Sequence, residues 1–203
     1  MNARERIFAK VRAATEPLSK RAALPDVETV AAIRSRAAPD ASDEDLILSR
    51  FKERWSQASG ILADDESELI EKLRSFGATK GYVDPSLSLP SLGAAFEISG
   101  EFVRDQVDAY SFSVTRATGA IAETGTVILT DRDTPNRLSA LAPWIHVAVV
   151  ERQSVYPRLR EAMGCFGSDP SVVMVTGPSK TADIESVLIE GVHGPGVQIC
   201  MIV

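Results

Sequence analysis

The chain has 203 residues, a net charge of −6 and 44% hydrophobic residues. This length fits one domain of about 100 to 200 residues with at most a small appendage. The composition is that of a globular protein and excludes disordered or collagen-like chains. The acidic balance lacks the positive charge that draws proteins to phosphate backbones, so nucleic acid is not an expected partner.

The numbers and spacing of cysteine and histidine residues exclude several kinds of metal site. Cys165 and Cys200 are too few for a four-thiolate zinc site or an iron–sulfur ligand set, and they do not form a CxxC pair. No HxH or HExxH pattern is present, so we expect no metal bound by this chain. No apolar run approaches the roughly 18 residues of a membrane span, and the first 25 residues lack a secretory core. We therefore expect a cytoplasmic protein without a transmembrane segment.

The N-terminal segment is basic. Its first 22 residues carry six basic and two acidic groups, a net +4 that leaves −10 for the remainder. A helix bearing Ile7, Phe8 and Val11 could contact an anionic partner or membrane surface, or could be a solvated helix docked by its apolar side. The Ala-, Pro- and Arg-rich stretch 18–41 predicts a linker or an extended arm.

A second helix is predicted from an N-cap at Ser42 to a stop near Gly60. Acidic residues at 43–45 suit the positive end of the helix dipole, and apolar residues then recur at helical spacing. We place the domain boundary after this helix. Residues 1–59 form an N-terminal helical arm and linker, and residues 60–203 form an α/β domain.

The rest of the chain alternates short apolar runs with amphipathic segments, which is typical of a mainly parallel sheet with helices packed on it. The predicted strands are 61–63, 81–83, 96–98, 112–115, 145–150, 172–176 and 198–203. The predicted helices are 66–76, 155–163 and 182–190. Ile121 and residues 126–130 are predicted to form a hairpin that turns at Gly125. The strands 145–150, 172–176 and 198–203 are nearly continuously apolar, as are strands buried on both faces.

The segment 176–185 is the most informative for function. A predicted buried strand ends in a small polar turn, and a predicted helix follows. Gly177 permits close backbone approach, Ser179 and Thr181 supply hydroxyl groups, and Lys180 supplies positive charge. Free N–H groups at a helix start favour phosphate or carboxylate. An anion site and an ordinary capped turn remain the two interpretations.

Two further loops carry candidate residues. In segment 121–126, Glu123 is a candidate general base, nucleophile or hydrogen-bond acceptor, and the alternative is a hairpin turn with a solvated glutamate. In segment 191–196, His193 lies in a glycine-rich loop, where it either shuttles a proton or satisfies loop backbone groups. His146 begins a buried strand and is expected to be a hydrogen-bonded structural residue. No GxSxG elbow supports a serine triad.

Three ordered motifs together resemble the LUD-domain family, and within it the lactate-utilisation C proteins. They are Ala122-Glu123-Thr124-Gly125-Thr126, Gly177-Pro178-Ser179-Lys180-Thr181-Ala182-Asp183-Ile184-Glu185 and Gly191-Val192-His193-Gly194-Pro195. The resemblance covers roughly residues 60–203. It implies a Rossmann-like three-layer α/β sandwich related to sugar-phosphate isomerases and CoA transferases, with the N-terminal helices as an appendage.

The resemblance also implies a functional setting. Such proteins are encoded with two iron–sulfur proteins and are needed to oxidise L-lactate to pyruvate. Because this chain has two cysteines, the clusters would belong to its partners. The expected ligand is a small anion, namely lactate, pyruvate or a phosphate-bearing cofactor. The alternatives are a non-catalytic scaffold or regulatory subunit, and a stand-alone transferase or ligase acting on a CoA- or folate-like substrate.

By the same resemblance, a ligand pocket is expected at the carboxyl edge of the sheet, with Glu123 as its catalytic residue. Arg116 departs from the expected pattern and would add a second positive charge if it points inward. The implied ligand-binding residues, besides Arg116, are Thr124, Gly125, Thr126, Gly177, Ser179, Lys180, Thr181, Asp183, His193 and Gly194.

Overall fold

The structure, a computed structural model, describes residues 2–15, 28–30, 32, 43–169, 171–182 and 188–203. The chain divides into two compact units, Met1–Arg36 and Ala37–Val203. The first unit contains helix α1 (Ala3–Thr15), in which no residue is buried. Most of the predicted linker 18–41, the predicted cap Ser42 and the predicted ligand residue Asp183 lie outside the described residues. Within the described ranges, no helix is long and apolar enough to cross a membrane.

The second unit holds all the other elements whose bounds the structure describes. Its α-helices are α2 (Glu44–Gln57), α3 (Glu66–Ser75), α4 (Pro90–Ala95), α5 (Arg137–Leu141) and α6 (Leu159–Ala162), with 3-10 turns at Arg104–Ala109, Arg152–Ser154 and Met163–Phe166. Its strands are β1 (Ile61–Ala63), β2 (Lys80–Val83), β3 (Glu97–Ser99), β4 (Phe112–Arg116), β5 (Gly119–Ile121), β6 (Thr126–Thr130), β7 (Ile145–Val150), β8 (Val155–Tyr156), β9 (Val172–Val175), β10 (Lys180–Ala182), β11 (Leu188–Glu190) and β12 (Val197–Ile202).

The main sheet is parallel throughout and has the strand order β1-β12-β7-β4-β2-β3. Strand β7 lies between β12 and β4, and all of its residues are buried. In the register of the sheet, His146 stands between Gln198 and Ser113. The prediction of parallel strands buried on both faces is confirmed for β7 and β12, because Val and Ile can pack on either face of the pleat.

Two layers cover the main sheet. Helices α3 and α4 pack Leu69, Leu73 and Leu92 against one face, around Phe112 and Val147. The other face packs against α2 and a second sheet, as the second core cluster shows. The predicted three-layer α/β architecture is confirmed, because alternate residues of each strand point to opposite faces and both faces must be buried.

The second sheet has the order β8-β5-β6-β9. Its β5–β6 hairpin turns at Gly125, as predicted. Strand β9 pairs antiparallel with β6 and is partly exposed, so the prediction that it is a buried strand of the parallel sheet is wrong. A short apolar run indicates a strand but does not reveal its partner or its direction.

Helix α2 is part of the core of the second unit. Asp43 is its N-cap, and the Asp43 side chain accepts a hydrogen bond from the backbone N–H of Leu46 at 3.0 Å. Ile47, Phe51 and Trp55 are buried against residues of the main and second sheets. The predicted boundary at residue 60 separates this helix from the core that it fills, so the compact unit begins earlier, at Ala37.

The helix predicted at 155–163 is largely replaced by other structure. Residues 155–156 form strand β8 beside β5, and only Leu159–Ala162 is α-helical. The apolar residues of this segment serve the second sheet and a small cluster with Ile121 and Ile128. Tertiary pairing therefore overrides the helical spacing of this segment.

Candidate functional site

The three sequence motifs meet in space. Thr126 forms side-chain hydrogen bonds with Thr124 at 2.6 Å and with Thr176 at 2.7 Å, which joins the first motif to the second. The backbone N–H of Ser179 donates to the carbonyl of Pro195 at 3.0 Å, which joins the second motif to the third. We call residues 123–126, 176–180 and 191–196 the motif junction.

The motif junction lies at the amino edge of the main sheet. Gly196 directly precedes β12, and Trp144 directly precedes β7 and accepts a hydrogen bond from Val197 at 3.1 Å. The expectation of a pocket at the carboxyl edge is therefore wrong for these motifs. Strand β9 runs antiparallel in a different sheet, so the rule that ligands gather beyond the carboxyl ends of parallel strands does not apply to its end.

The helix predicted at 182–190 is wrong at both of its described ends, and residues 183–187 lie outside the described residues. Residues 180–182 form strand β10, which pairs antiparallel with β11, and Thr181 stands opposite Ile189. Lys180 stands opposite Glu190. In the described part of this segment no helix begins after Gly177, so free N–H groups of a helix start are not available there to hold an anion.

Lys180 lies instead at the carboxyl end of α2. Its Nζ donates to Ser59 Oγ at 2.7 Å and lies 3.5 Å from Glu190 Oε1. Ser59 follows the last turn of α2, where a cation interacts favourably with the helix dipole. The Lys180 side chain keeps 31% of its surface exposed. The residue therefore supports the helix end and still presents positive charge to solvent.

The motif glycines Gly125 and Gly177 pack against the same end of α2. Both have positive φ, 64° and 76°. A Cβ on Gly125 would lie 2.4 Å from the backbone N of Trp55, and one on Gly177 would lie 2.1 Å from the carbonyl oxygen of Ala58. Close backbone approach was predicted to serve a ligand at Gly177, but in the structure it serves helix packing.

Glu123 occupies the turn of the hairpin and is partly exposed. Its backbone N–H donates to the carbonyl of Pro157 at 3.0 Å. Among the residues that the structure describes, its carboxylate has no hydrogen-bond or ion-pair partner. A free carboxylate can accept a proton or a hydrogen bond from a ligand hydroxyl. The neighbouring Thr124 is exposed, and Thr126 is 4% exposed.

The third motif contributes the rim of the junction. His193 is exposed, and the adjacent Gly194 lies so close to Ser179 that an added Cβ would be 3.3 Å from the Ser179 Cβ. The backbone N–H of Gly191 donates to the Ser179 carbonyl at 2.9 Å. The structure thus brings Ser179 and Gly194 together and leaves the His193 side chain at the surface.

Arg116 does not join the motif junction. It ends β4, at the carboxyl edge of the main sheet, and its guanidinium forms an ion pair with Glu151, which follows β7. The Thr134 hydroxyl also donates to the Arg116 carbonyl at 2.7 Å. The expectation that Arg116 adds positive charge to the same pocket is wrong, because its strand ends at the opposite edge of the sheet.

His146 is a structural residue, as predicted. Its side chain is fully buried, Nδ1 donates to Gln198 Oε1 at 2.8 Å, and Nε2 accepts from the Thr115 hydroxyl at 2.8 Å. Burial lowers the pKa of His146 to about 4, and the hydrogen bond to Gln198 opposes this shift only in part. The neutral ring is therefore the form that the fold accommodates.

This burial predicts a specific loss of stability in acid. Between pH 6.5 and 4 the unfolded chain protonates His146 and the folded chain does not, so stability falls by about 3 kcal/mol in total. Urea unfolding at a series of pH values measures this loss. In His146→Gln that part of the pH dependence is expected to disappear, while His193→Gln, in an exposed loop, keeps it. An unchanged pH dependence in His146→Gln would contradict the assignment.

The described residues contain no group of three or more His, Cys, Asp or Glu side chains that could hold a metal ion. Burial raises the pKa of the Cys200 thiol, and partial burial raises the pKa of Cys165. Neither environment generates the thiolate that a reactive cysteine needs.

Three residues of this region were not predicted as site residues: Ser59, Thr176 and Glu190. Thr176 directly precedes the second motif, and its hydroxyl provides the bond between the motifs. Ser59 and Glu190 contact Lys180 from positions 121 and 10 residues away in the chain. The positive φ of Ser59, 67°, marks a helix end, and the Ser59-Gly60 pair was the available signal in the sequence.

Comparisons with known proteins agree with this fold. The fold and the motif junction place this chain in the class of three-layer α/β proteins built on a parallel sheet. A family model for the LUD domain matches residues 91–203, which is more than half of the chain. The chain belongs to the LUD domain family. A crystal structure of a DUF162 family protein from Deinococcus radiodurans has the same fold, with a TM-score of 0.60, 21% identity, and coverage of 79% of this chain and 99% of that chain.

Curated relatives match over a shorter region. "Lactate utilization protein C" of Geobacillus kaustophilus is 39% identical over 83 residues, which cover 37% of this chain and 35% of that protein. The protein of the same name from Bacillus subtilis is 37% identical over 83 residues, with the same coverage. The one from Halalkalibacterium halodurans is 31% identical over 112 residues, 51% of this chain and 48% of that protein. The matched segments thus span between about a third and a half of these relatives.

Proposed function

We propose that this chain is a cytoplasmic component of a lactate-utilisation system, in which it binds a small anionic ligand at the motif junction. The contact of Thr126 with Thr176, which joins two motifs distant in the chain, carries the proposal. The names of the curated relatives, lactate utilization protein C, supply the biological setting. The metabolites of that setting, L-lactate and pyruvate, are both small carboxylates.

Lys180 is the proposed anchor for the ligand carboxylate. Its nearest carboxylate, on Glu190, lies at the long distance of 3.5 Å, so an incoming anion can replace or share this contact. Thr124 and Thr176 are exposed residues whose hydroxyls each share one hydrogen bond with the buried Thr126, which leaves each hydroxyl able to make a second hydrogen bond to a ligand. Glu123, whose carboxylate is unpaired among the described residues, is the proposed acceptor for a ligand hydroxyl and the residue to which we assign any proton transfer.

Oxidation of L-lactate to pyruvate releases two electrons, and the two cysteines of this chain cannot bind an iron–sulfur cluster. The proposal therefore includes iron–sulfur proteins as partners that accept the electrons. In this arrangement the chain supplies substrate binding or assembly, and the partners supply the redox centres.

The test is a thermal-shift titration with L-lactate, pyruvate and inorganic phosphate as probes. A ligand that binds only the folded state raises the melting temperature. At a ligand concentration of one hundred times Kd, it adds about 2.7 kcal/mol to the free energy of unfolding. We expect a saturable rise with one of the carboxylates in the wild-type protein and no rise in Lys180→Met.

Lys52→Met is the matched control. Lys52 has a similar exposure, 38% against 31%, and it also contacts a carboxylate, Asp64 at 2.9 Å, but it lies outside the motif junction. This variant should keep the full ligand-induced shift. Equal shifts in Lys180→Met, Lys52→Met and wild type would contradict a site at Lys180.

A scaffold or regulatory subunit is the second candidate function. The observation that favours it is the packing of the motifs on α2, where Gly125 and Gly177 contact the helix and Lys180 bonds to Ser59. On this alternative the motifs hold the fold together and the partners bind elsewhere. Absence of any ligand-induced shift, together with normal lactate oxidation by Lys180→Met in the assembled system, would favour it.

A further inference from the structure

A groove of about 400 Å³ opens at the amino edge of the main sheet, and the third motif of the motif junction lines one side of it. We call it the Trp144 groove. Its volume is within the range of about 300 to 1,000 Å³ typical of small-molecule sites. The residues that matter for its chemistry are Asp108, Tyr110, Ser111, Leu141, Trp144 and Val192.

The glycine-rich loop holds the indole ring of Trp144. A Cβ on Gly191 would lie 2.3 Å from this ring, and a Cβ on Gly196 would lie 2.4 Å from it. Glycine at both positions therefore lets the loop backbone pack directly on the indole. The Trp144 side chain nevertheless remains 53% exposed. The third motif thus supports one part of an aromatic ring whose remaining surface faces the groove and solvent.

Asp108 is the one charged side chain among the described residues lining the groove. The hydroxyls of Tyr110 and Ser111 each donate one hydrogen bond and accept one, with main-chain groups of residues 101–103 and 79–80. Asp108 is exposed, and within the described chain no cation forms an ion pair with it. The groove therefore combines an exposed aromatic ring with an unneutralised negative charge.

We propose that the Trp144 groove binds a small organic cation, in which a quaternary or protonated nitrogen contacts the Trp144 indole and pairs with Asp108. Tryptophan is the best aromatic partner for a cation, and the Asp108 carboxylate also attracts the cation. The same electrostatics disfavours a carboxylate or phosphate ligand. The site is therefore distinct in ligand class from the anion site at Lys180, and it does not depend on the proposed function.

The experiment uses choline as the cationic probe and 3,3-dimethylbutan-1-ol, its uncharged analogue of the same shape, as the control. Saturation-transfer NMR on the full chain follows the methyl protons of each probe. We expect saturable binding of choline, with the alcohol weaker by at least about fivefold. Absence of choline binding, or equal binding of the two probes, would overturn the proposal.

Matched variants locate the site. Asp108→Asn and Trp144→Leu are expected to weaken choline binding by at least about fivefold, and Trp144→Tyr to retain part of it. Asp105→Asn changes an exposed carboxylate of the same 3-10 turn that does not line the groove, and it should bind choline like the wild type. Equal effects of the two Asp→Asn changes would overturn the assignment. If Trp144→Leu fails to fold, the aspartate pair and the uncharged probe still decide the question.

A protein segment with a basic side chain is the competing occupant. Nα-acetyl-arginine amide serves as the probe for it in the same NMR measurement. Stronger binding of this probe than of choline, lost in Asp108→Asn, would overturn the small-cation assignment in favour of a protein-docking site.

Discussion

A chain that begins at Gly60 is expected not to fold, whereas a chain that begins at Ala37 is expected to keep the stability of the second unit. The shorter chain lacks α2, and with it the buried side chains of Ile47, Phe51 and Trp55. Each such side chain contributes roughly 1.5 to 3 kcal/mol, a sum comparable to the whole stability of a typical domain, about 5 to 15 kcal/mol. Circular dichroism melting curves and amide NMR spectra of both chains measure the difference.

Point substitutions in α2 separate the loss of side-chain packing from the removal of the whole segment. Trp55→Ala is expected to cost about 3 to 5 kcal/mol in the full chain, because the fully buried ring also donates its Nε1–H to the Ile61 carbonyl at 2.8 Å. Leu46→Ala, on the same helix but 53% exposed, should stay within about 0.5 kcal/mol of wild type. A cooperative transition in the chain that begins at Gly60, at the wild-type temperature, would contradict the inclusion of α2 in the domain.

Gly177→Ala is expected to destabilise the protein by about 3 to 5 kcal/mol, a large value for a single methyl group. The added Cβ would lie 2.1 Å from the carbonyl oxygen of Ala58, and the backbone has φ 76°, where an L side chain is strained. Strain and overpacking each contribute about 1 to 3 kcal/mol, and a backbone atom cannot yield as the end of a flexible side chain can. Urea unfolding of the purified variant measures the loss.

Two glycines elsewhere provide controls for the two causes. Gly77 has a similar φ, 73°, but open space around it, so Gly77→Ala should show the strain alone, about 1 kcal/mol. Gly93 lies inside α4 and has no close neighbour. Gly93→Ala should therefore leave the stability unchanged or raise the free energy of unfolding by about 0.5 to 1 kcal/mol. If Gly177→Ala were as stable as Gly77→Ala but had lost ligand binding, Gly177 would contact a ligand rather than Ala58.

Prediction from sequence succeeded where one local pattern decides the structure. Helix α3 has an apolar stripe, the N-cap Asp65, and Gly77 with φ 73° just beyond its end, so its boundaries follow from neighbouring residues. Strands β7 and β12 are nearly continuously apolar because both of their faces are covered. The hairpin at Gly125 is also a local feature, in which a glycine with positive φ closes two apolar runs.

The sequence motifs correctly indicated which segments belong together but not how they are placed. The hydrogen bond between Thr126 and Thr176 confirms that the first two motifs are neighbours. The edge of the sheet at which they meet follows from the antiparallel pairing of β9 with β6, which no pattern within residues 172–176 encodes. The same limitation explains β10 and β11, where a helical spacing occurs in residues that pair as strands.

By itself, the sequence determined the class of fold, the family and the three segments that meet at the motif junction, because periodicity and motifs are properties of neighbouring residues. Only the tertiary structure decided that Lys180 supports the end of α2 rather than a helix start, that Arg116 lies at the opposite edge, and that Trp144 rests on two glycines. These placements depend on strand order and on contacts between segments that are distant in the chain. They are determined by the free energy of the whole packed chain and not by local conformational preferences.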